Sequence, residues 1–213
     1  MVRTTRKGEE TIVTEALTNR RFTELQRIFA TGKASHAYLF LGPLNQGNEG
    51  GIRSLAQTLL CLAEGEKPCG TCRACQLMVR GSHPDFRELV PEKGTIKVED
   101  VRQLCYDALL NPYLSPGKVY FFNKFEALTE VAANAFLKTL EEPPPAVYFL
   151  ALAEDERGVL PTIRSRMQRV QLGGAGPLGG SFDNNGDDDL RVSDLGALLR
   201  RAEELSSADR DQV

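Results

Sequence analysis

The stretch Ala37–Ala56, AYLFLGPLNQGNEGGIRSLA, decides the fold of this chain. It begins with an apolar run that is typical of a buried strand, turns through glycines and continues into a helix-like pattern. A working phosphate-binding loop has this layout and reads G-x-x-x-x-G-K-[ST]. Gly42 and Gly47 keep the spacing, but Asn48 stands at the lysine position and Glu49 at the Ser/Thr position. The frame of a nucleotide site is present without the side chains that contact phosphate and Mg²⁺.

Glu49 argues directly against binding of a triphosphate. A carboxylate about 4 Å from a phosphate oxygen costs about 1 kcal/mol per charge pair in water, and several times more when partly buried. Loss of the lysine forfeits a comparable attraction. We therefore expect this chain to bind ATP weakly or not at all, and not to hydrolyse it.

A second nucleotide motif is altered in the same way. A P-loop ATPase carries an apolar strand that ends in Asp, usually Asp-Glu, to hold Mg²⁺ and orient the attacking water. In VYFFNKFEAL, Asn123 and Lys124 occupy these positions, and neither side chain can do this chemistry. Glu126 is predicted to face solvent at a helix start and not to replace the base. The alternative is that neither the glycine loop nor this strand was ever a nucleotide motif. The presence of both, in this order along the chain, favours an ATPase fold whose nucleotide motifs are degenerate.

Strand-like and helix-like segments alternate along the chain, which predicts an α/β domain on a parallel sheet. The predicted strands are Ala37–Leu41, Asp85–Val90, Lys118–Phe122, Val147–Leu152 and Met167–Leu172. The predicted helices are Thr18–Thr31, Gly51–Ala63, Val98–Leu109 and Thr129–Glu142, with a helical turn at Leu160–Arg164. Residues 1–17 are interpreted as a flexible leader, 18–172 as the domain, 173–192 as a Gly/Asp-rich linker and 193–213 as a short helix.

The composition of the 213 residues is that of an ordinary globular protein, with 41% hydrophobic and 26% charged residues. A net charge of −3 gives no general attraction to nucleic acid, so any DNA contact must come from a local patch or a partner. No apolar run approaches the roughly 20 residues that a membrane span needs, and a signal peptide is not recognisable. Five clustered cysteines do not form a secreted disulfide pattern, which favours a reducing cytoplasm.

Four of these cysteines, Cys61, Cys69, Cys72 and Cys75, have the spacing C-x7-C-x2-C-x2-C. Four thiolates from one short segment can close a tetrahedron around Zn²⁺, and all-cysteine ligation is typical of a structural site. Free thiols are the alternative, which so dense a cluster disfavours. We predict a zinc knuckle within residues 61–80 that is attached to the helix after the glycine loop.

His83 and the fifth cysteine, Cys105, are interpreted as lying outside this cluster. His83 is a rival ligand, but GSHPD is better interpreted as a turn that caps or positions the next strand. Cys105 lies on the apolar face of its predicted helix and is interpreted as a small core residue.

Several stretches of the chain together resemble a known family. SHAYLFLGP, CGTCRAC, GSHPDF, NAFLKTLEEPP and LPTIRSR resemble the AAA+ ATPase domain of bacterial DNA polymerase III clamp-loader subunits, delta-prime and gamma/tau, over residues 22–172. The loss of both nucleotide motifs resembles the non-hydrolysing delta-prime branch. The resemblance implies a three-layer AAA+ domain with an inserted zinc knuckle.

The resemblance also implies a function. Such subunits join a circular assembly with gamma/tau and delta subunits, which opens the sliding clamp and places it on primer–template DNA. The delta-prime branch acts there as a stator without catalysis of its own, within the DNA polymerase III holoenzyme. The matching Ser-Arg-Cys motif is Ser165, Arg166 and Met167, so Arg166 is expected to reach a neighbour's ATP in trans as an arginine finger. Ala153 replaces the nucleotide-sensing threonine of the hydrolysing subunits.

This sequence departs from the family after residue 172. Family members continue into a helical lid and a collar, whereas a Gly/Asp-rich linker and one short predicted helix follow here. Two alternatives therefore stay open. The chain could be a divergent but active AAA+ ATPase, or a free-standing zinc-stabilised module that binds proteins.

Overall fold

The computed structural model of the chain describes residues 21–172, in which strands and helices alternate. The strands are β1 (Ala37–Leu41), β2 (Phe86–Leu89), β3 (Lys118–Asn123), β4 (Val147–Ala153) and β5 (Gln168–Gln171). The helices are α1 (residues 21–30), α2 (Gln46–Leu60), α3 (Arg73–Val79), α4 (Val98–Ala108), α5 (Glu130–Glu141) and α6 (Pro161–Arg164), with 3-10 turns at Phe125–Ala127 and Glu156–Gly158. The predictions of a leader, a linker and a C-terminal helix lie outside the described residues.

All five strands form one parallel sheet in the order β2-β3-β4-β1-β5. The predicted α/β class is therefore confirmed. Because β4 lies between β1 and β3, the carboxyl ends of these three strands meet at one edge of the sheet. In the register, Leu41 pairs with Ala153, and Asn123 pairs with Leu152. Ligands of open α/β sheets bind at this edge, so the fold brings both altered nucleotide motifs to one place.

Apolar side chains alternate between the two faces of the sheet and create two core layers. In β3, Val119 and Phe121 pack toward α1 and α2, whereas Tyr120 and Phe122 pack toward α4 and α5. This alternation is the two-residue period of a strand. The helices cover both faces, which gives the three-layer arrangement that the resemblance implied.

Helix α2 begins five residues earlier than predicted and ends at Leu60 instead of Ala63. The three glycines at positions 47, 50 and 51 weaken helix propensity and led to the later predicted start. Packing overrides this cost at Gly51, where a Cβ atom would overlap the ring of Phe22 in α1. Gly51 thus allows α1 and α2 to approach closely.

Helix α5 follows its prediction closely. The Thr129 side chain accepts a hydrogen bond from the Ala132 N–H at 3.2 Å and caps the helix, which ends at Glu141, two residues before Pro143. In the part of the chain that the structure describes, no helix is both long and apolar enough to cross a bilayer.

Candidate functional site

The two glycines of the loop after β1 have structural explanations that do not involve phosphate. Gly42 lies so close to the main chain of Leu172 that a Cβ atom would overlap the Leu172 carbonyl oxygen. Its N–H donates to the Ala153 carbonyl at 2.9 Å. Gly47 lies in the first turn of α2, and the nearest neighbour of a Cβ there would be Asn45 Oδ1 at 3.4 Å. The loop itself therefore occupies only residues 42–45.

Asn48, at the lysine position, turns inward and closes the loop. Its side chain is buried, at 3% exposure, and its Nδ2 donates to the Pro43 carbonyl at 2.8 Å. The Asn48 N–H donates to the Asn45 side chain at 2.8 Å, which caps α2. A lysine here would extend toward a nucleotide, whereas this amide bonds the loop to itself.

Glu49, at the Ser/Thr position, belongs to an ion-pair network that crosses the sheet edge. Glu49 Oε2 lies 3.2 Å from Arg53 Nη2, one turn further along α2. Arg53 donates two bonds to Glu88 at the end of β2, from Nε at 3.0 Å and from Nη2 at 2.8 Å. Asn123 Nδ2 completes the network with a bond to Glu88 Oε1 at 3.2 Å. The network thus joins the two altered nucleotide motifs.

The hydrogen bonds that Arg53 donates to Glu88 raise the pKa of Arg53 above its ordinary value. The negative charge of Glu88 acts in the same direction, and partial burial of Arg53 opposes the shift. The Arg53 guanidinium also lies 5.9 Å from the centre of the Phe121 ring. A planar guanidinium bound by both Glu88 oxygens is a well-ordered contact. The anionic partners of Arg53 are thus side chains of this same chain, and its charge is balanced without a bound anion.

Glu126 does not face solvent as the sequence suggested. Lys124 adopts a left-handed conformation, with φ of 71°, and the 3-10 turn that follows directs Glu126 back over the sheet edge. Glu126 Oε1 accepts the Glu154 N–H at 3.3 Å, and its other oxygen is buried with no hydrogen-bond partner among the described residues. Glu154 Oε1 in turn accepts the Leu44 N–H at 3.3 Å. A carboxylate, rather than a phosphate, receives this loop N–H.

An open cleft of about 450 Å³ lies at the strand ends. Three consecutive acidic residues, Glu154, Asp155 and Glu156, line one part of it. The other lining residues are Leu41, Gly42, Pro43 and Gln171. The exposed Arg157 pairs with Asp155, and Arg164 and Arg169 pair with Glu156 at 3.7 and 3.8 Å. Glu154 has no cationic partner within residues 21–172. The uncompensated charge of Glu154 would repel a triphosphate bound near this loop.

The four cysteines of the predicted knuckle converge. Cys61 follows the last residue of α2, Cys72 caps α3 and Cys75 lies within α3. Their three sulfur atoms and that of Cys69 all lie within 4.8 Å of one another, and the Sγ atoms of Cys61 and Cys72 are 4.0 Å apart. Ligands at about 2.3 Å from a tetrahedral zinc would be about 3.8 Å apart. The donor set therefore fits a structural metal ion.

Backbone N–H groups point at the cluster and favour thiolate. The N–H of Cys72 donates to Cys69 Sγ at 3.3 Å, and the N–H of Cys69 donates to Cys61 Sγ at 3.4 Å. The bond from Cys72 and those from Thr71 lower the pKa of Cys69 to about 6. Burial instead raises the pKa of Cys75. A cation at the centre would supply the charge that keeps all four sulfurs deprotonated.

His83 lies outside this cluster and fixes the turn, as predicted. Its Nδ1 accepts the Asp85 N–H at 3.0 Å, and its Nε2 lies 3.0 Å from Ser115 Oγ. Ser115 Oγ donates to the Leu60 carbonyl at 2.8 Å, so His83 Nε2 carries the hydrogen that Ser115 accepts. Burial lowers the pKa of His83, although the Asp85 charge opposes this shift. The neutral imidazole thus links β2 to the end of α2, next to Cys61.

Cys105 is half-buried and packs against the core layer of α4 and α5. Its position agrees with the predicted packing role, and burial raises the pKa of its thiol.

Arg166 lies just beyond α6 and is held by three contacts. Nη2 lies 2.8 Å from Glu141 Oε1, and Nη1 donates to the Thr162 carbonyl at 2.7 Å and to Ser165 Oγ at 3.2 Å. The side chain remains 37% exposed. Met167, at the position of the motif cysteine, is buried in the core layer beneath.

Sequence reasoning missed Arg53, Glu88 and Glu141. The i,i+4 spacing of Glu49 and Arg53 on a helix could have indicated the first ion pair. The pairing of Arg53 with Glu88 spans 35 residues, and that of Arg166 with Glu141 joins separate helices. Local sequence patterns carry no signal for such contacts.

The chain is similar in sequence to known proteins. The profile of the family described as DNA polymerase III, delta subunit, matches residues 17–175. The chain is 41% identical over 148 residues to the DNA polymerase III subunit delta' of Haemophilus influenzae, covering 69% of this chain and 45% of that protein. It is 42% identical over 149 residues to the same subunit of Escherichia coli, covering 68% and 44%.

A solved structure is also similar. The DNA polymerase III gamma subunit-related protein of Thermotoga maritima superposes with a TM-score of 0.55 at 26% identity, covering 72% of this chain and 46% of that one. The chain spans less than half the length of the curated relatives above. The region matched by the family profile includes the parallel sheet, the cysteine cluster and the two altered motifs. The chain belongs to the DNA polymerase III delta-subunit family, and it is of the delta-prime and gamma/tau type.

Proposed function

We propose that this chain is a non-hydrolysing subunit of the replicative clamp loader, which helps to load the sliding clamp onto primed DNA. The observation that carries the proposal is the network of Glu49, Arg53, Glu88 and Asn123. Residues at both nucleotide motifs bond to the chain's own side chains, while the AAA+ framework around them is kept. The fold then serves as a rigid shape for assembly, and the partners are gamma/tau-type and delta-type subunits.

Arg166 is the residue through which the chain would act on a neighbour's ATP. A guanidinium placed at the γ-phosphate in trans neutralises charge that develops in the transition state, which is worth roughly 10³–10⁵ in rate in well-studied systems. Two features support this role. The Arg166 side chain is partly exposed, and Met167 anchors the adjacent main chain in the core.

A structural Zn²⁺ is the proposed cofactor. Cys61, Cys69, Cys72 and Cys75 would hold it, and all-cysteine ligation leaves no open position for catalysis. The ion would tie α3 to the end of α2, and its role would be to fix the knuckle as one piece.

The function is tested by reconstituting a loader from this chain with gamma/tau-type and delta-type partners. A pull-down measures assembly, and DNA-stimulated ATP turnover measures the trans role. The variant Arg166→Ala should assemble normally and lower the turnover number by at least about tenfold. Arg157→Ala is the matched control, because Arg157 is 87% exposed and pairs within its own loop.

Each part of the proposal has its own contrary result. Turnover by Arg166→Ala equal to that of the unaltered complex would exclude the finger role. Failure of the chain to bind either partner would instead favour a free-standing binding module.

A further inference from the structure

Glu141 makes a contact that the proposed role of Arg166 does not by itself require. It is the last residue of α5, and its carboxylate lies 2.8 Å from Arg166 Nη2, beyond α6. The contact joins the ends of two helices that are separate in sequence. The next residue, Glu142, offers the same carboxylate in an exposed position, and its side chain has no partner within residues 21–172.

The position of Glu141 is unfavourable without a partner. A helix carries partial negative charge at its carboxyl end, so two successive glutamates there repel the helix dipole. Arg166 offsets this repulsion for Glu141 alone. Both side chains are partly exposed, at 37% for Arg166 and 48% for Glu141. Ion pairs of this exposure add little to folding stability, so stability does not account for the contact well.

Orientation of the guanidinium accounts for it better. A free arginine side chain samples many rotamers, and fixing it beforehand removes that entropy cost from the step in which it meets an anion. The Thr162 carbonyl and Ser165 Oγ hold Nη1, whereas Glu141 holds Nη2. Without Glu141, the guanidinium could rotate about its bonds while keeping only the contacts to its own α6 segment.

The contacts leave donors free for an anion. Arginine has five N–H donors, of which the three contacts use two on Nη1 and one on Nη2. The Nε–H and the second Nη2–H have no partner among the described residues. A phosphate oxygen can therefore be bound without breaking the bond to Glu141.

We propose that Glu141 is a positioning residue for Arg166, which holds the guanidinium in the orientation that it presents to the phosphates of a neighbouring subunit's ATP. This inference rests on the proposed trans role of Arg166. It assigns to the end of α5 a part in ATP turnover by the complex, although Glu141 itself touches no nucleotide.

The test uses the full chain in the reconstituted loader and compares Glu141→Gln with Glu142→Gln. Both variants remove one charge from the same helix end, but only the first alters the contact with Arg166. Glu141→Gln should lower kcat for DNA-stimulated ATP turnover by about threefold to tenfold, equivalent to about 0.7–1.4 kcal/mol. The KM for ATP and the melting temperature should stay nearly unchanged. Glu142→Gln should match the unaltered complex.

Two further variants separate positioning from a general structural effect. Glu141→Asp keeps the charge and should recover part of the lost kcat. In an Arg166→Ala background, Glu141→Gln should have no further effect, because its action passes through Arg166.

The outcomes distinguish this inference from the function on which it rests. If Arg166→Ala lowers kcat but Glu141→Gln does not, or if the two effects add in the double variant, Glu141 does not position Arg166 and the trans role stands. If Arg166→Ala leaves kcat unchanged, the trans role of Arg166 and the positioning role of Glu141 are both wrong, whereas assembly with the partner subunits is judged separately by the pull-down.

Discussion

Replacement of Glu88 by alanine tests whether the sheet edge is stabilised by its own ion pairs. The side chain of Glu88 is 20% exposed and accepts two bonds from Arg53 and one from Asn123. A hydrogen bond to a charged group contributes about 1.5–3 kcal/mol, but Arg53 is 41% exposed, so solvent screens part of this. We expect Glu88→Ala to lower the free energy of unfolding by about 1–2 kcal/mol in total. For a domain of this size, that corresponds to a decrease of about 2–8 °C in Tm.

Urea denaturation gives the free energy, and thermal denaturation gives Tm. Glu92→Ala is the control, because Glu92 is 78% exposed and its only ion pair among the described residues, to Lys97, is 3.9 Å long. That variant should change stability by less than about 0.5 kcal/mol. A double-mutant cycle with Arg53→Met should give a coupling energy of about 1 kcal/mol or more. Equal small effects of Glu88→Ala and Glu92→Ala, or a coupling near zero, would refute the reasoning.

Two other features give measurable predictions. Cys72→Ser should release the metal from the purified chain, which metal analysis measures. The variant knuckle should become sensitive to limited proteolysis, while the sheet still melts cooperatively. Global unfolding of this variant would contradict the prediction. Because burial lowers the pKa of His83, the unfolded chain binds its proton more readily than the folded chain. Stability should therefore decrease as pH falls below about 6.5, and His83→Asn should flatten this decrease in urea melts at pH 7.5, 6.0 and 5.0. Parallel slopes for both proteins would exclude this role of His83.

The sequence predicted the elements in which local pattern and packing agree. The strands β3 and β4 appear as apolar runs because both of their faces are buried, and Thr129 and the prolines after Glu142 bound α5. The cysteine cluster was predictable because its ligands come from one short segment. In each case, the residues that determine the structure are close together in the chain.

The errors arose where distant contacts decide the structure. The glycines of α2 led to a predicted start at Gly51. The helix begins earlier because the Asn45 cap and the packing of Gly51 on Phe22 stabilise its first turns. Glu126 was expected in solvent, but the left-handed Lys124 directs it to the Glu154 N–H. The order of the strands, which brings both altered motifs together, is likewise a property of the whole sheet.

Titration of the isolated, zinc-loaded chain with MgATP tests the central claim most directly. Asn48 is bonded to its own loop, and Glu49 and Asn123 belong to one internal network. Isothermal calorimetry should therefore detect no saturable binding up to roughly 1 mM ATP, which corresponds to a binding free energy weaker than about −4 kcal/mol. Saturable binding with a Kd in the micromolar range would contradict the account, since it would show that the nucleotide site still functions.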